Sequence, residues 1–243
     1  MLNPYNIPVH KIKEMIHLNK KPLGSKQRAL DDISNMLGRY WGTKRGKQIA
    51  SWLSQYTNFI KQEETFNPRF LKHYKRGEII MVNFGYRLGN EVGGPHYAIV
   101  LDKNNDMGSG TITVLPLSSK KENTKINPYK LDLGDEIYQK LNEKAQIAFS
   151  NCIKEAEINP PIVTAGQNFT ISIRIDETEM QAVMSEINSM KKGSIALLSQ
   201  ITSISKMRII KPTRTTDALS GIRLSDESLN AIDNRIKQLY LGK

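Results

Sequence analysis

The chain is poor in the side chains that build several familiar kinds of site. It has one cysteine, Cys152. That excludes an intrachain disulfide framework and any zinc site built on paired thiolates. Cys152 is read as a small buried hydrophobe. Four histidines, His10, His17, His73 and His96, are scattered and show no HExxH spacing, so neither a catalytic metal nor any other cofactor is expected. Aromatic residues make up only 7% of the chain. No run of eighteen apolar residues occurs, so no membrane span is expected. The N-terminal residues lack an apolar core followed by a small-residue cleavage site, and a cytoplasmic location is the expectation. Phosphate-cradling glycine motifs are missing too: there is no GxxxxGK[ST] and no GxGxxG, and Gly108-Ser109-Gly110 reads as a turn.

What is abundant is positive charge, and it is unevenly placed. Residues 1–76 hold 15 Lys and Arg against 5 Asp and Glu, a balance of +10 out of the total of +11. Such asymmetry suggests an anionic partner, nucleic acid first, because each neutralised phosphate releases counterions. The plainer reading is a solvated basic face. Helices are expected over 9–18, over 26–37 with Ser25 as N-cap, and over 44–64. Trp41 and Trp52 are read as anchors of a small helical core.

Three short apolar runs follow, at 79–84, 97–101 and 111–117, separated by the turns GNEVGG and NNDMGSG. Their Ile and Val content and their punctuation predict three consecutive antiparallel strands. The first connecting loop carries Arg87, Asn90, Glu91 and His96. Ser118, Ser119, Lys120 and Lys121 end the third run. Antiparallel pairing would bring the start of the second strand and the end of the third to one edge, so that His96 and Ser118 face each other. A Ser–His–Asp set using Asp102 does not fit: Asp102 ends the strand that His96 begins, about 20 Å away at ~3.3 Å per residue. Further strands are expected over 129–133, 169–175, 194–203 and 206–210. Helices are expected over 134–157, 176–190 and 226–241, the last capped by Ser225.

Four blocks in this order resemble the MazF/PemK family of toxin ribonucleases. They are Arg76-Gly77-Glu78-Ile79, Gly89-Asn90-Glu91 with Gly94, Pro116-Leu117-Ser118-Ser119, and the run from Ala196 through Gln200 to Ile204. The resemblance spans about residues 75–133 and 193–241. It implies an α+β fold: a small SH3-like β-barrel with a C-terminal helix. To this the chain adds a basic helical region over 1–74 and a helical insertion at about 134–192 within the domain 75–243. In register with the family, Ser118 takes the place of the catalytic Thr and His96 that of the catalytic Arg. The substitution removes a permanent charge and a five-donor fork and brings a group that exchanges protons near neutral pH.

The implied activity is a metal-independent endoribonuclease acting on single-stranded RNA, mRNA in the first instance, with 2′,3′-cyclic phosphate and 5′-OH ends. His96 and Ser118 would be catalytic. Arg87, Glu91, Ser119, Lys120, Lys121 and Gln200 would bind substrate. The implied partners are RNA, a neutralising antitoxin and a second copy of the chain in a homodimer. The alternative left open is a catalytically inactive module of the same fold that binds nucleic acid or protein.

Overall fold

The computed structural model describes residues 24–158 and 178–242, with no side-chain detail from 152 to 158. The helix expected over 9–18, the strand expected over 169–175 and the side chain of Cys152 lie outside the described residues. The chain divides into two compact units, one ending at Asn58 and the other beginning at Phe59.

Helix α1 (Ser25–Arg39) lies in the first unit and turns through residues 40–43 into α2 (Lys44–Glu63), which begins in that unit and ends in the second. Gly24, not Ser25, holds the N-cap position of α1, and no side chain caps it. Thr43 starts α2 by accepting the Gly46 N–H at 3.1 Å through its hydroxyl. Gly46 has no substitute there, because a Cβ would lie 2.2 Å from the Tyr40 carbonyl oxygen. Trp41 is 87% exposed, so it does not anchor a core as expected. Trp52 is half-buried against Tyr56, with ring centroids 5.9 Å apart.

The second unit is organised by strands whose side chains alternate between two faces. β1 (Ile79–Asn83), β2 (Pro95–Val100) and β3 (Thr111–Ser119) form an antiparallel meander. Ile79, Ile99, Leu115 and Leu117 point to one core. Ile80, Val82, Ala98, Val100, Ile112 and Val114 point to the other. β3 is long enough to serve two partners along its far side. Its first half pairs with β6 (Thr202–Ser205) and its last residues pair with β5 (Ser194–Leu197). The run expected as one strand over 194–203 is therefore broken, by a 3₁₀ turn at Leu198–Gln200. A second 3₁₀ turn, Lys206–Arg208, replaces the start of the next expected strand and leads into β7 (Ile209–Lys211) beside β1. β4 (Lys130–Asp132) flanks β5.

The sheet of seven strands runs β4-β5-β3-β2-β1-β7, with β6 beside β3. The fold is α+β as expected, but among the described residues the barrel is not closed: β4, β6 and β7 each pair on one side only. Helices α3 (Glu136–Ile158), α4 (Thr178–Ser189) and α5 (Asp226–Ile236) supply the first core. Their apolar residues recur at helical spacing: Ile137, Leu141 and Ala145; Val183 and Ile187; Leu229 and Ile232. Ser225 caps α5 by accepting the Ser228 N–H at 3.2 Å. The helix expected to reach 241 instead gives way to a π turn at Lys237–Leu241. Among the described residues, no helix is long and apolar enough to cross a membrane.

Candidate functional site

The loop between β1 and β2 is held by its own backbone before any side chain is considered. The Phe84 N–H donates to Gly94 O at 2.9 Å and the Gly94 N–H to Gly85 O at 2.7 Å. Gly94 sits at φ +76°, where L side chains are strained. At Gly93 a Cβ would come within 2.9 Å of Gly85 O. The GNEVGG run thus delivers the chain into β2 with a fixed register: Val82 stands opposite His96 and Asn83 opposite Pro95.

His96 is half-buried at the rim of the second core, on the face that carries Val82, Ala98 and Val100. Its Nδ1 lies 3.2 Å from the Leu117 carbonyl oxygen. A carbonyl only accepts, so Nδ1 carries the proton, and the neutral ring then presents Nε2 as a lone pair. The β2–β3 pairs Ala98↔Pro116 and Ile99↔Leu115 set the register. Extended by two residues, it puts His96 opposite Ser118, on one face. Ser118 is half-buried and itself pairs with Ile195 of β5. No hydrogen bond joins the ring to the hydroxyl. Asp102 is remote from both, accepting from Asn105 Nδ2 at 2.7 Å and the Thr113 N–H at 3.2 Å.

The other expected residues divide into two groups. Arg87, Glu91 and Gln200 converge at the loop. Arg87 Nε donates to Phe84 O at 3.1 Å, and its Nη1 lies 3.5 Å from Glu91 Oε2. Gln200 clamps the loop with both ends of its amide: Oε1 accepts the Val92 N–H at 3.3 Å and Nε2 donates to Asn90 O at 3.5 Å. The 3₁₀ turn that breaks the β5–β6 run is what brings Gln200 there. Ser119, Lys120 and Lys121 instead lie exposed at and beyond the end of β3. Lys120 Nζ is held on Asp132 Oδ2 at 2.5 Å, and this hydrogen bond is the main reason the Asp132 carboxyl is pulled below its ordinary range.

Two features had no signal in the sequence. Arg208, on the 3₁₀ turn before β7, donates from Nε to Asn83 O at 2.9 Å. Burial lowers its pKa first, and the nearby Arg87 charge lowers it further. Two guanidinium groups therefore crowd the exit of β1. On the opposite face, Tyr97 donates to the buried Glu186 of α4, whose other oxygen takes Lys211 Nζ at 2.5 Å. Burial first, then Glu186, raises the Tyr97 pKa well above the phenol range. Each contact joins residues far apart in sequence.

Two adjoining hollows open beside the loop. A smaller one of about 210 Å³ is bordered by Phe84, Arg87, Glu91 and Pro116. A larger one of about 550 Å³ extends toward Asn127 and Tyr129. Val92, Ser199 and Gln200 border both. Among the described residues, no three His, Cys, Asp or Glu side chains converge as metal ligands.

Residues 75–190 match the sequence model of a family described as PemK-like, MazF-like toxins of type II toxin-antitoxin systems. The matched span contains the first three blocks identified in the sequence and ends short of the fourth. No curated protein matches the chain.

Proposed function

We propose, from the match of residues 75–190 to the PemK-like, MazF-like toxin family, that the protein is the toxin of a type II pair and a metal-independent endoribonuclease. Its substrate is single-stranded RNA, and an antitoxin with an acidic segment over Arg87 and His96 silences it. The observation that supports the reading best is the bond from His96 Nδ1 to Leu117 O. It leaves Nε2 as the basic atom, the form a general base needs.

In this mechanism Nε2 of His96 takes the proton of a ribose 2′-OH. The 2′ oxygen then bonds to the adjacent phosphorus, the bond from phosphorus to the 5′ oxygen breaks, and water protonates the departing oxygen. The products are a 2′,3′-cyclic phosphate and a 5′-OH. Ser118 Oγ–H donates to a non-bridging phosphoryl oxygen, and Arg87 and Arg208 stabilise the charge that develops there.

The test is incubation of pure protein with a long RNA in EDTA, followed by mapping of the ends. Discrete cuts bearing 5′-OH are expected. His96→Ala should lose about 10²–10⁴-fold in rate with the fold intact, as removal of a general base typically does. Ser118→Ala should lose less. RNA that is retarded but intact, with a steep salt dependence, would instead identify a binding module. A His96→Ala protein as fast as the parent would sink the assignment.

A further inference from the structure

The hollow of about 550 Å³ beyond the loop has the dimensions of a small-molecule site and a lining unlike a phosphate site. Asn90, Asn127, Ser199 and Gln200 contribute neutral polar groups, Val92 an apolar wall and Tyr129, a residue 48% exposed, an aromatic ring. Lys130 is the one charged residue among those bordering it.

Tyr129 is fixed from three sides. Its N–H donates to Asn127 Oδ1 at 3.0 Å, its carbonyl accepts the Leu198 N–H at 2.9 Å, and the next N–H, of Lys130, donates to Asn127 O at 2.9 Å. The backbone that carries the ring is thus held in a bonded turn at the sheet edge. A rigid, half-exposed aromatic face beside amides is how proteins hold an unstacked base: the ring takes the π face, and each amide offers a donor and an acceptor to the base edge.

The hollow also lies on the face that carries Ser118. The pairs Ser118↔Ile195, Leu117↔Ala196 and Lys130↔Leu197 place Leu197, one of its lining residues, two steps along β5 from the Ser118 partner. Pro116 borders the smaller hollow and precedes Ser118 by two residues, ~7 Å along the strand. The strand register therefore leads from Ser118 toward the smaller hollow, which Arg87 borders, and that hollow adjoins the one that holds Tyr129.

Resting on the ribonuclease reading above, we propose that this hollow is a specificity subsite. It takes one unstacked nucleobase flanking the cut, stacked on Tyr129 and read at its edge by the Asn127 amide. Asn127 Nδ2 has no protein partner among the described residues. Gln200 is a positioning residue that holds the Asn90 side of the hollow.

The test is to cleave a randomised RNA pool and sequence the cut ends. Tyr129→Ala should lower kcat/KM at the preferred sites by roughly 5- to 150-fold, the usual worth of one stacked base. Tyr129→Phe should behave as the parent. Asn127→Ala should flatten the base preference at one position relative to the cut and leave the other positions unchanged. If the parent cuts at defined sequences, and Tyr129→Ala and Asn127→Ala proteins of unchanged melting temperature cut the same sites at the same rates, the subsite is wrong and the ribonuclease reading stands. If the parent cuts nothing, the ribonuclease reading falls. Equilibrium binding of short oligonucleotides differing at one base then decides the subsite alone, and affinities unchanged by Tyr129→Ala overturn it.

Discussion

Replacing Glu186 with Ala should be among the most damaging single changes outside the apolar core. Glu186 is 4% exposed, and its two oxygens serve Tyr97 of β2 and Lys211 of β7, tying α4 to strands at two places in the sheet. Truncation removes the short bond of the half-buried Tyr97 hydroxyl and leaves it only Ser189 Oγ at 3.5 Å, a loss of about 1–3 kcal/mol. It also orphans the Lys211 ammonium. Breaking a buried pair costs about 3–5 kcal/mol when the remaining charge is sealed from water. Lys211 is 33% exposed, so water reaches it and the cost falls toward the low end. The two effects overlap, and together they amount to roughly 2–4 kcal/mol. At about 2–4 °C per kcal/mol for a protein of this size, the melting temperature should drop by about 5–15 °C. Glu186→Gln keeps an acceptor for Tyr97 and loses only the ion pair, so it should drop by about half as much. Thermal unfolding followed by circular dichroism at neutral pH measures both. A Glu186→Ala protein melting within about 2 °C of the parent would refute the reasoning, since Tyr97 and Lys211 would then have found other partners at no cost.

Gln200→Ala removes two long hydrogen bonds, 3.3 and 3.5 Å, worth roughly 0.5–1 kcal/mol together. Amide exchange at Val92 should accelerate several-fold while the amides of β3 stay protected, and equal protection in the two proteins would show that the clamp is idle. Burial is the first cause that raises the folded-state pKa of both Tyr74 and Tyr97, so the native state holds those protons longer than the unfolded chain does. Stability should therefore be complete below about pH 10, the unfolded phenol value, and fall as pH rises beyond it; a double Tyr→Phe variant should flatten that fall in alkaline melting curves. The Asp132 carboxyl, lowered chiefly by the Lys120 hydrogen bond, contributes stability above its unfolded pKa that is lost as pH falls through the folded one. The pair is exposed and worth less than about 1 kcal/mol, so Asp132→Asn should barely move the melting temperature at pH 7. Asp132→Asn should also release the Lys120 ammonium and steepen the salt dependence of RNA binding by about one phosphate contact, and an unchanged slope would show that Lys120 stays away from RNA.

Local pattern made the meander legible, because the alternation of Ile79 to Val82 and of Ile112 to Leu117 is a property of the strands themselves. The helices α3 to α5 were legible for the same reason, and Ser225 capped where its type and position suggested. Other features failed where a local signal was ambiguous. Ala196 to Ile204 reads as one apolar run, and nothing local marks the 3₁₀ turn at Leu198–Gln200. Trp41 has an anchor's side chain but stands on the turn between two helices, facing water. Closure of the barrel was not legible at all, since it depends on whether two edges meet. The same division holds at the site. His96 and Ser118 could be placed opposite each other because both lie at ends of strands joined by the β2–β3 turn. Arg208 reaches Asn83 across 125 residues and Tyr97 reaches Glu186 across 89, so no window of sequence contains either contact.

Arg208 also bears on the histidine itself. An arginine beside a scissile phosphate supplies permanent charge and several donors, and it moves no proton. An imidazole does the reverse, and when neutral it offers no charge to a phosphorane. In the proposed reaction the base must begin neutral, so the charge has to come from elsewhere. Arg208 has left much of its hydration behind, and the Arg87 charge nearby disfavours its own further. Like charges held together in a partly dry setting lose free energy that an intervening anion restores. A phosphate between them is thus favoured by relief of repulsion as well as by direct attraction. In the proposed reaction the proton acceptor and the cationic clamp, two requirements that one side chain cannot meet together, fall to His96 and to the arginine pair.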